Sequence, residues 1–578
     1  MKCFDDEVEE MVYLDDISHH THHAVSSCCA AARRRQHKVT KENDRLTSSI
    51  KAEVKSVLNE QTAEGTRLGA VIRLYNESIR TVRVPDYEVR LKSHDGIEFT
   101  LRPSVSNARA ILPKQKVELS YLIQMDHKEN VSLKRISWFD VDEYVYPKRQ
   151  KEVLTFLISS LEWKGANAII TNPGRVKQWG QSFTIPTLSP SIQVLPINIM
   201  VQNTQKSPVA VVTFLVENVG DWEQSVQDFR VDGKVGRKVY SGKRVEQGTM
   251  SLDAGEAVYL HYAIPLGLQT KLTSLNILTS ETFKPDAETT INYAIGRLNV
   301  EVPADGGSTR FMDQLRSYEN STPISFDNLN KLIAPELKIS MEALQIHESE
   351  GGGFKAVVAK YKLYNDGIHS RVVPNFQVEM LNAEGKSYMG TRQTDTVETL
   401  APKVGYVVYY SFVVPPTEDG QPLAMNILDG ETAAPYFVPI ASYRTQVVPQ
   451  TYDDIMKFYP FNVSIQKWSI EKRSTGTGDI TSPPTYTFKL NLNLDIELKD
   501  KVTVDNHFPK MKVELTDEDD KVIGSQLLSF TGENRLISGQ RVISVNSENY
   551  ISRVKANIYE VIDTPFGEAK RLVLQLKE

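Results

Sequence analysis

The residues best suited to chemistry are crowded near the start of the chain. Six of them could ligate a metal: His19, His20, His22, His23, Cys28 and Cys29. Imidazole and thiolate are good ligands for zinc, nickel and copper. However, the segment has no hydrophobic periodicity, and an ordered metal site needs a supporting shell of hydrogen bonds. We therefore predict a disordered tail over 1–45, with these six residues as weak metal-ligand candidates.

Two other motifs carry groups that could act on a ligand. The acidic run at 517–520 lacks the alternating acids and central glycine of a calcium loop, which favours a solvated turn. Gly385-Lys386-Ser387 matches the end of a phosphate loop, but Met380 stands where that loop begins with glycine. The sequence contains no GxSxG, HExxH, CxxC or GxGxxG motif. We therefore predict no catalytic residues, no cofactor and no enzymatic activity.

The elements that would position any site are repeated along the chain. Residues 74–89 read LYNESIRTVRVPDYEV, and residues 363–378 read LYNDGIHSRVVPNFQV, 289 positions later. In each phrase a small polar residue ends a strand, and a large apolar residue then opens an apolar-x-Val strand. Two fainter copies follow the same rule, so the polar anchors are Asn76, Asn218, Asn365 and Asp500. Repetition at this length marks domains rather than solenoid units.

Each copy predicts about six or seven short strands. Apolar and polar residues alternate after each anchor, as in a strand with one face in a core and one in water. Asp95-Gly96 and Glu384-Gly385 follow this strand, and glycine there supplies the positive φ of a tight hairpin. About seven strands in ~100 residues is typical of an immunoglobulin-like β-sandwich.

The predicted fold class is therefore all-β, with four tandem immunoglobulin-like β-sandwich domains. We place them at 46–162, 190–300, 335–445 and 460–578. The second and third joins between domains predict short helical linkers, around Phe326–Ile333 and Tyr452–Phe458. We interpret the anchor Asn as structural, because Asn caps its own turn and ends strands. The loop between the first two strands differs in every copy, so any ligand-binding residues are expected there.

Composition narrows the classes of function. A pI near 6.1 with a net charge of −6 argues against nucleic-acid binding. No apolar stretch of about 18 residues offers a transmembrane segment. The chain starts acidic and turns basic later, the reverse of a secretory signal peptide, and a misassigned start codon is one interpretation of the tail. All three cysteines lie in the tail, which fits a bacterial cytosol or export without disulfides.

The strand-ending Asn, the aromatic-x-Val strand, the acidic-Gly hairpin and the aromatic return strand resemble bacterial immunoglobulin-like modules of secreted and surface proteins, many of unknown function in Gram-positive organisms. The resemblance spans about four-fifths of the chain. It implies an extracellular or wall-associated, non-catalytic role and supplies no catalytic residues.

We therefore expect a multidomain extracellular or surface scaffold, or an adhesion-type binding protein, with an unknown protein or glycan as its partner. If the chain is not exported, it is cytoplasmic. One alternative is an accessory protein that binds carbohydrate or protein through the variable loops. A further alternative is metal binding by the tail.

Overall fold

The computed structural model describes residues 44–126, 131–186, 188–303, 315–349, 351–394, 396–420, 422–448, 454–475, 485–504 and 508–578. These residues form strands, turns and loops, with one short 3-10 helix at Pro173–Arg175. The all-β fold class predicted from the sequence is confirmed. Within the described ranges, no helix has the length and apolar character needed to cross a membrane.

The first repeat forms two sheets around one apolar core. Its strands are β1 (Ile50–Thr62), β2 (Gly65–Asn76), β3 (Val82–Arg83), β4 (Glu88–Ser93), β5 (Glu98–Thr100), β6 (Arg102–Pro103), β7 (Ala110–Ile111), β8 (Lys116–Met125), β9 (Leu133–Asp142), β10 (Arg149–Leu157) and β11 (Glu162–Trp163). The order β1-β2-β8-β6 builds one sheet and β10-β9-β4-β5 the other. Leu74 from the first sheet and Val89 and Trp138 from the second meet in the core.

The second repeat has the same two-sheet plan. Its strands are β12 (Val176–Gln178), β13 (Ile192–Asn203), β14 (Pro208–Asn218), β15 (Gln224–Val226), β16 (Arg230–Val235), β17 (Lys238–Ser241), β18 (Lys243–Arg244), β19 (Met250–Leu252), β20 (Ala257–Pro265), β21 (Ser274–Phe283) and β22 (Ile291–Glu301). The sheet orders are β12-β22-β21-β16-β17 and β13-β14-β20-β18. Phe214, Phe229 and Tyr262 form an aromatic cluster in the core between them.

The third repeat contains β23 (Leu337–Ser349), β24 (Lys355–Asn365), β25 (Arg371–Val372), β26 (Gln377–Leu381), β27 (Ser387–Met389), β28 (Thr391–Arg392), β29 (Thr399–Leu400), β30 (Gly405–Val414), β31 (Leu423–Asp429) and β32 (Val438–Thr445). The fourth contains β33 (Ile455–Phe458), β34 (Phe461–Thr475), β35 (Thr485–Leu498), β36 (Val502–Thr503), β37 (Lys510–Thr516), β38 (Val522–Leu528), β39 (Gly539–Ser547), β40 (Lys555–Thr564) and β41 (Gly567–Lys577). One four-stranded sheet is internal to each repeat, with orders β27-β26-β31-β32 and β33-β34-β35-β39.

A nine-stranded sheet joins the third and fourth repeats. Its order is β28-β30-β24-β23-β41-β40-β37-β38, and β36 pairs with β30 off this path. The seam is short, because β23 and β41 pair only at Glu348–Lys570 and Ser349–Ala569 within the described residues. The two repeats are thus linked by backbone hydrogen bonds as well as by side chains.

The contacts between Cα atoms divide the chain into two compact units. The first holds the chain up to Glu162 together with Phe283–Ile291, and the second holds Trp163–Thr282 and Asn292–Glu578. The large apolar clusters of the described residues number four, and each has most of its members in a different predicted domain, although three of them extend beyond the predicted bounds. The division into four domains stays a prediction.

Local sequence accounts for the strand ends and the hairpins. Strands β2, β14 and β24 end at Asn76, Asn218 and Asn365, as predicted. Gly96 and Gly385 have φ values of +88° and +75° in their hairpins, a conformation that residues with a Cβ rarely adopt. Buried and half-buried residues alternate along β4, which confirms the predicted half-buried strand.

The prediction of short helices in the joins was wrong. Residues 326–333 form turns, because Asp327 and Asn330 use their side chains to bind the backbone N–H groups of Leu329 and Ile333, both at 2.8 Å. Such local bonds compete with a helix. The described part of Tyr452–Phe458 contains strand β33, which forms a hairpin with β34 and buries alternate residues.

Candidate functional site

The metal-ligand candidates of the tail, His19, His20, His22, His23, Cys28 and Cys29, lie outside the described residues. The predicted disordered tail over 1–45 lies outside them too, apart from its last two positions. Within the described ranges, no group of three or more His, Cys, Asp or Glu side chains is arranged to hold a metal ion.

The acidic run at 517–520 forms the hairpin turn between β37 and β38. Asp517 Oδ1 accepts hydrogen bonds from the backbone N–H groups of Asp519 and Lys521, at 3.0 and 2.9 Å. Lys555 Nζ lies 2.8 Å from Asp520 Oδ1. The carboxylates therefore organise their own turn and pair with a lysine, as expected for a solvated acidic turn.

Gly385-Lys386-Ser387 forms the hairpin between β26 and β27 rather than a strand-to-helix phosphate loop. The turn is closed by Asn382, whose carbonyl accepts from the N–H of Gly385 at 2.9 Å. Ser387 Oγ donates to Glu379 Oε1 on the neighbouring strand at 2.5 Å. The serine of the motif thus donates a hydrogen bond to a carboxylate of the same sheet, and the motif does not form a phosphate loop.

The repeated anchor Asn is a buried cross-link. Asn365 Nδ2 donates to the carbonyls of His369 and Leu400, at 2.8 and 3.0 Å, and its Oδ1 accepts from the N–H of Gly367 at 3.0 Å. Asn76 and Asn218 make the matching bonds in their own repeats. One amide therefore closes a turn and binds the short strand that precedes β8, β20 or β30, which agrees with the structural interpretation of the anchor.

The fourth anchor, Asp500, has a different role. An ionised carboxylate cannot donate, so it cannot bind the carbonyls that Asn binds. Asp500 Oδ2 instead accepts from the Tyr459 hydroxyl at 2.8 Å and from Lys362 Nζ at 3.2 Å. Lys362 belongs to the third repeat, so this anchor ties two repeats together.

The residue after the repeated Val is charged in every repeat, and three repeats give it an oppositely charged partner two positions earlier. The pairs are Glu88 with Arg90, Arg230 with Asp232 at 2.7 Å, and Lys512 with Glu514 at 3.3 Å. Residues two apart on a strand point to the same face, which places the two charges side by side.

The third repeat breaks this rule. Gln377 occupies the partner position, and its amide donates to the carbonyl of Gly390 at 2.7 Å. The carboxylate of Glu379 accepts from Ser387 and from Asn426 Nδ2, the latter at 2.8 Å. Among the described residues, no Lys, Arg or His nitrogen lies within 4.0 Å of it. Glu379 is only 6% exposed, so within the described residues this buried carboxylate has no ion-pair partner, although Lys271 lines the same cleft at a longer distance.

Glu379 and its neighbours line a cleft between the second and third repeats. The cleft has a volume of about 320 Å³. Its walls include Ile197, Ile199 and Leu272 from the second repeat, and Leu381, Asn426 and Pro439 from the third. An apolar concavity with a few convergent polar groups is typical of a small-molecule site, and this volume is within the usual range.

The interface beside the cleft is fixed by apolar packing and by backbone contacts. Val209, Val211 and Ala263 of the second repeat pack against Ala433 and Val438 of the third. Next to them, Gln202 Nε2 donates to the carbonyl of Phe437 at 2.6 Å, and Gln202 Oε1 accepts from the N–H of Phe437 at 3.0 Å. These contacts hold the walls of the cleft at a defined distance.

A second group of buried charges lies between the third and fourth repeats. Lys360 Nζ donates to Glu560 Oε1 at 2.5 Å, and Arg571 Nη2 donates to Oε2 at 2.7 Å. Burial opposes ionisation of Glu560, but the charges of Lys360 and Arg571 outweigh it and hold the pKa of Glu560 well below its usual range. His347 Nε2 lies 3.3 Å from Glu560, and burial lowers the pKa of its ring.

These two sites differ in how far the sequence pointed to them. The Glu379 site had a local signal, since comparing the residues on either side of the repeated Val exposes Gln377 as the exception. Lys360 and Glu560 lie 200 positions apart and had no local signal. The described residues of the variable loops, where binding was expected, do not line the cleft.

Comparison with known proteins gives little guidance. No family model and no curated protein matches the chain. Among solved structures, dimeric latent PorU from Porphyromonas gingivalis matches 68% of this chain and 34% of its own, with 9% identity and a TM-score of 0.13. A Salmonella alpha-2-macroglobulin mutant matches 91% of this chain and 39% of its own, with 9% identity and a TM-score of 0.12. This chain spans less than half the length of either, and such low scores support no conclusion about fold or function.

Proposed function

We propose that the chain is a non-catalytic scaffold of four tandem immunoglobulin-like β-sandwich domains that holds a protein or glycan partner. The observation that carries the proposal is the nine-stranded sheet between the third and fourth repeats. A sheet shared across two cores fixes the spacing and orientation of those cores, which is what a scaffold requires.

The side-chain contacts across the seam support the same conclusion. Lys360 and Glu560 form a fully buried ion pair across the two repeats. Nearby, Ala356, Val358 and Tyr409 of the third repeat pack against Ile562 and Ala569 of the fourth. Separating the repeats would expose this apolar surface and leave buried charges unpaired, which is costly. We therefore expect the third and fourth repeats to behave as one rigid body.

Native-state hydrogen exchange on the full chain tests this rigidity. We expect the amides of β24, β40 and β41 to be protected to a similar degree, because they belong to one cooperative sheet. Exchange of β40 and β41 at a much lower free energy than β24 would show that the fourth repeat opens alone, and would overturn the scaffold proposal.

The proposed absence of catalysis and the expected surface location need separate tests. The purified full chain should show no turnover with esterase, glycosidase, peptidase or phosphatase substrates, and a turnover that persists through purification would contradict the proposal.

Protease applied to intact cells should cleave the chain if the chain acts at the surface. Protection until the cells are lysed would favour the cytoplasmic alternative.

A further inference from the structure

Four residues follow the repeated Val in the four repeats, and Glu379 alone has no oppositely charged residue two positions earlier in the sequence. Glu379 also lines the cleft. In the second repeat Asp232 occupies the same place and pairs with Arg230. In the fourth repeat Glu514 does so and pairs with Lys512 and Lys570. The strand supplies a cation wherever this carboxylate is enclosed by its own repeat. The third repeat omits the cation where the carboxylate meets a cavity.

The surroundings of Glu379 keep its carboxylate in place. Asn426 faces it across the strand pair and in turn accepts from Ser442 Oγ at 2.7 Å. Ser387 approaches from the hairpin on the other side. Hydrogen bonds from neutral groups orient a carboxylate but do not neutralise it, and an enclosed charge without a counterion is unfavourable.

We propose that the cleft between the second and third repeats binds a small primary amine carried on an apolar body. The ammonium group would supply, from the side of the cleft, the positive charge at Glu379 that Arg230 supplies to Asp232 in the second repeat. The apolar body would lie against Ile197, Ile199 and Leu381, which line the cleft. This site goes beyond the scaffold role and does not depend on it.

The probe for the test is phenethylamine, which joins an aromatic ring to a primary ammonium group. Phenethyl alcohol is the neutral control and hydrocinnamate the anionic control, and both keep a similar apolar body. Calorimetric titration of the full chain should detect the amine. The chain should bind phenethyl alcohol with an affinity at least about tenfold lower, because a hydrogen bond to a charged group is lost. It should not bind hydrocinnamate. Equal affinity for the amine and the alcohol would overturn the proposal.

Three variants locate the effect. Glu379→Gln keeps the shape of the side chain and should remove the preference for the amine over the alcohol. Gln377→Arg restores the cation found in the second repeat and should abolish binding of the amine by occupying the carboxylate. Glu384→Gln is the matched control, because it removes a negative charge from the exposed tip of the same hairpin. If Glu384→Gln weakened binding as much as Glu379→Gln, the attraction would be a surface effect and the proposal would fail.

A measurement on the unmutated chain covers the case in which a variant does not fold. With methyl-labelled methionine, phenethylamine should shift the signal of Met200, which lines the cleft. It should leave Met511, buried in the core of the fourth repeat, unchanged. An unchanged Met200 at saturating amine, or no binding at all, would overturn the proposal.

Discussion

The first and third repeats share one sequence phrase, yet they place their charges differently. In the first, Arg73 lies 3.5 Å from Glu53 and 2.8 Å from Glu118, two carboxylates of the same repeat. In the third, Lys362 lies 3.5 Å from Glu342, the same two positions shifted by 289. Its further partner is Asp500 from the fourth repeat.

Two residues earlier, on the same face of the same strand, the contrast recurs. Val71 of the first repeat corresponds to Lys360 of the third, and both side chains are buried. Burying Lys360 is tolerated because Glu560 reaches it from the fourth repeat. The difference teaches that the repeated residues keep each scaffold intact, while substitutions on the outer faces decide which neighbour a repeat binds.

The largest expected effect comes from breaking the buried pair. Lys360→Met should lower the free energy of unfolding of the third and fourth repeats by about 3–5 kcal/mol, because Glu560 loses a cation while it stays buried. Urea denaturation followed by hydrogen exchange in β24 and β40 would measure it. Val71→Met, at the equivalent place in the first repeat, is the control and should cost about 1–3 kcal/mol, because it adds volume at a buried site. Equal losses would show that the ion pair is not what distinguishes the repeats.

Changing the side chain of an anchor residue gives the next largest effect on stability. Asn365→Asp should destabilise the chain by about 1–3 kcal/mol, because the carbonyls of His369 and Leu400 lose their donor. Asp500→Asn should cost about 1 kcal/mol or less, since it weakens only a partly exposed contact with Lys362. Thermal unfolding of both variants compares them. A larger loss for Asp500→Asn would mean that the fourth anchor is the more important clamp.

Exchanging the residue two positions before Asp232 or Glu379 should have a smaller effect on stability. Arg230→Gln makes the second repeat resemble the third and should cost about 1 kcal/mol, because Arg230 is partly exposed while Asp232 is buried. Gln377→Arg makes the opposite change and should stabilise the third repeat by up to about 1 kcal/mol. Denaturant midpoints at neutral pH measure both. If Gln377→Arg destabilises the chain, Glu379 is not available to a cation.

The smallest effect concerns an exposed carboxylate in the third repeat. Lys338 and Lys403 bind Asp366 and lower its pKa from 3.8 to about 2. Because the folded-state pKa is depressed, the resulting stability is present above the unfolded pKa and is lost as the pH falls through about 2. Lys403→Gln should raise the pKa of Asp366 towards 3.8 in an NMR titration. Lys386→Gln, in another hairpin, should leave it unchanged, and an equal shift there would indicate a general charge effect.

Several features of the fold follow from local sequence rules. The strand-ending Asn, the hairpin glycines and the alternation along β4 were predicted correctly, because each depends on contacts within a few residues or on a period of two. The predicted helices failed, since the side chains of Asp327 and Asn330 compete locally with helical hydrogen bonds. The predicted alternation of buried and exposed residues also fails in β26, where Glu379 is buried instead of facing water.

The sequence by itself determined the all-β class, the repeated phrase and the positions at which the chain must turn. These features depend on the pattern of apolar residues and on the backbone preferences of Asn and Gly, which act over short distances. The tertiary structure alone decided that Lys360 meets Glu560, that Asp500 joins two repeats, and that Glu379 faces a cleft. Each of these depends on which outer faces come together, and contacts between residues far apart in the chain leave no periodic pattern to read.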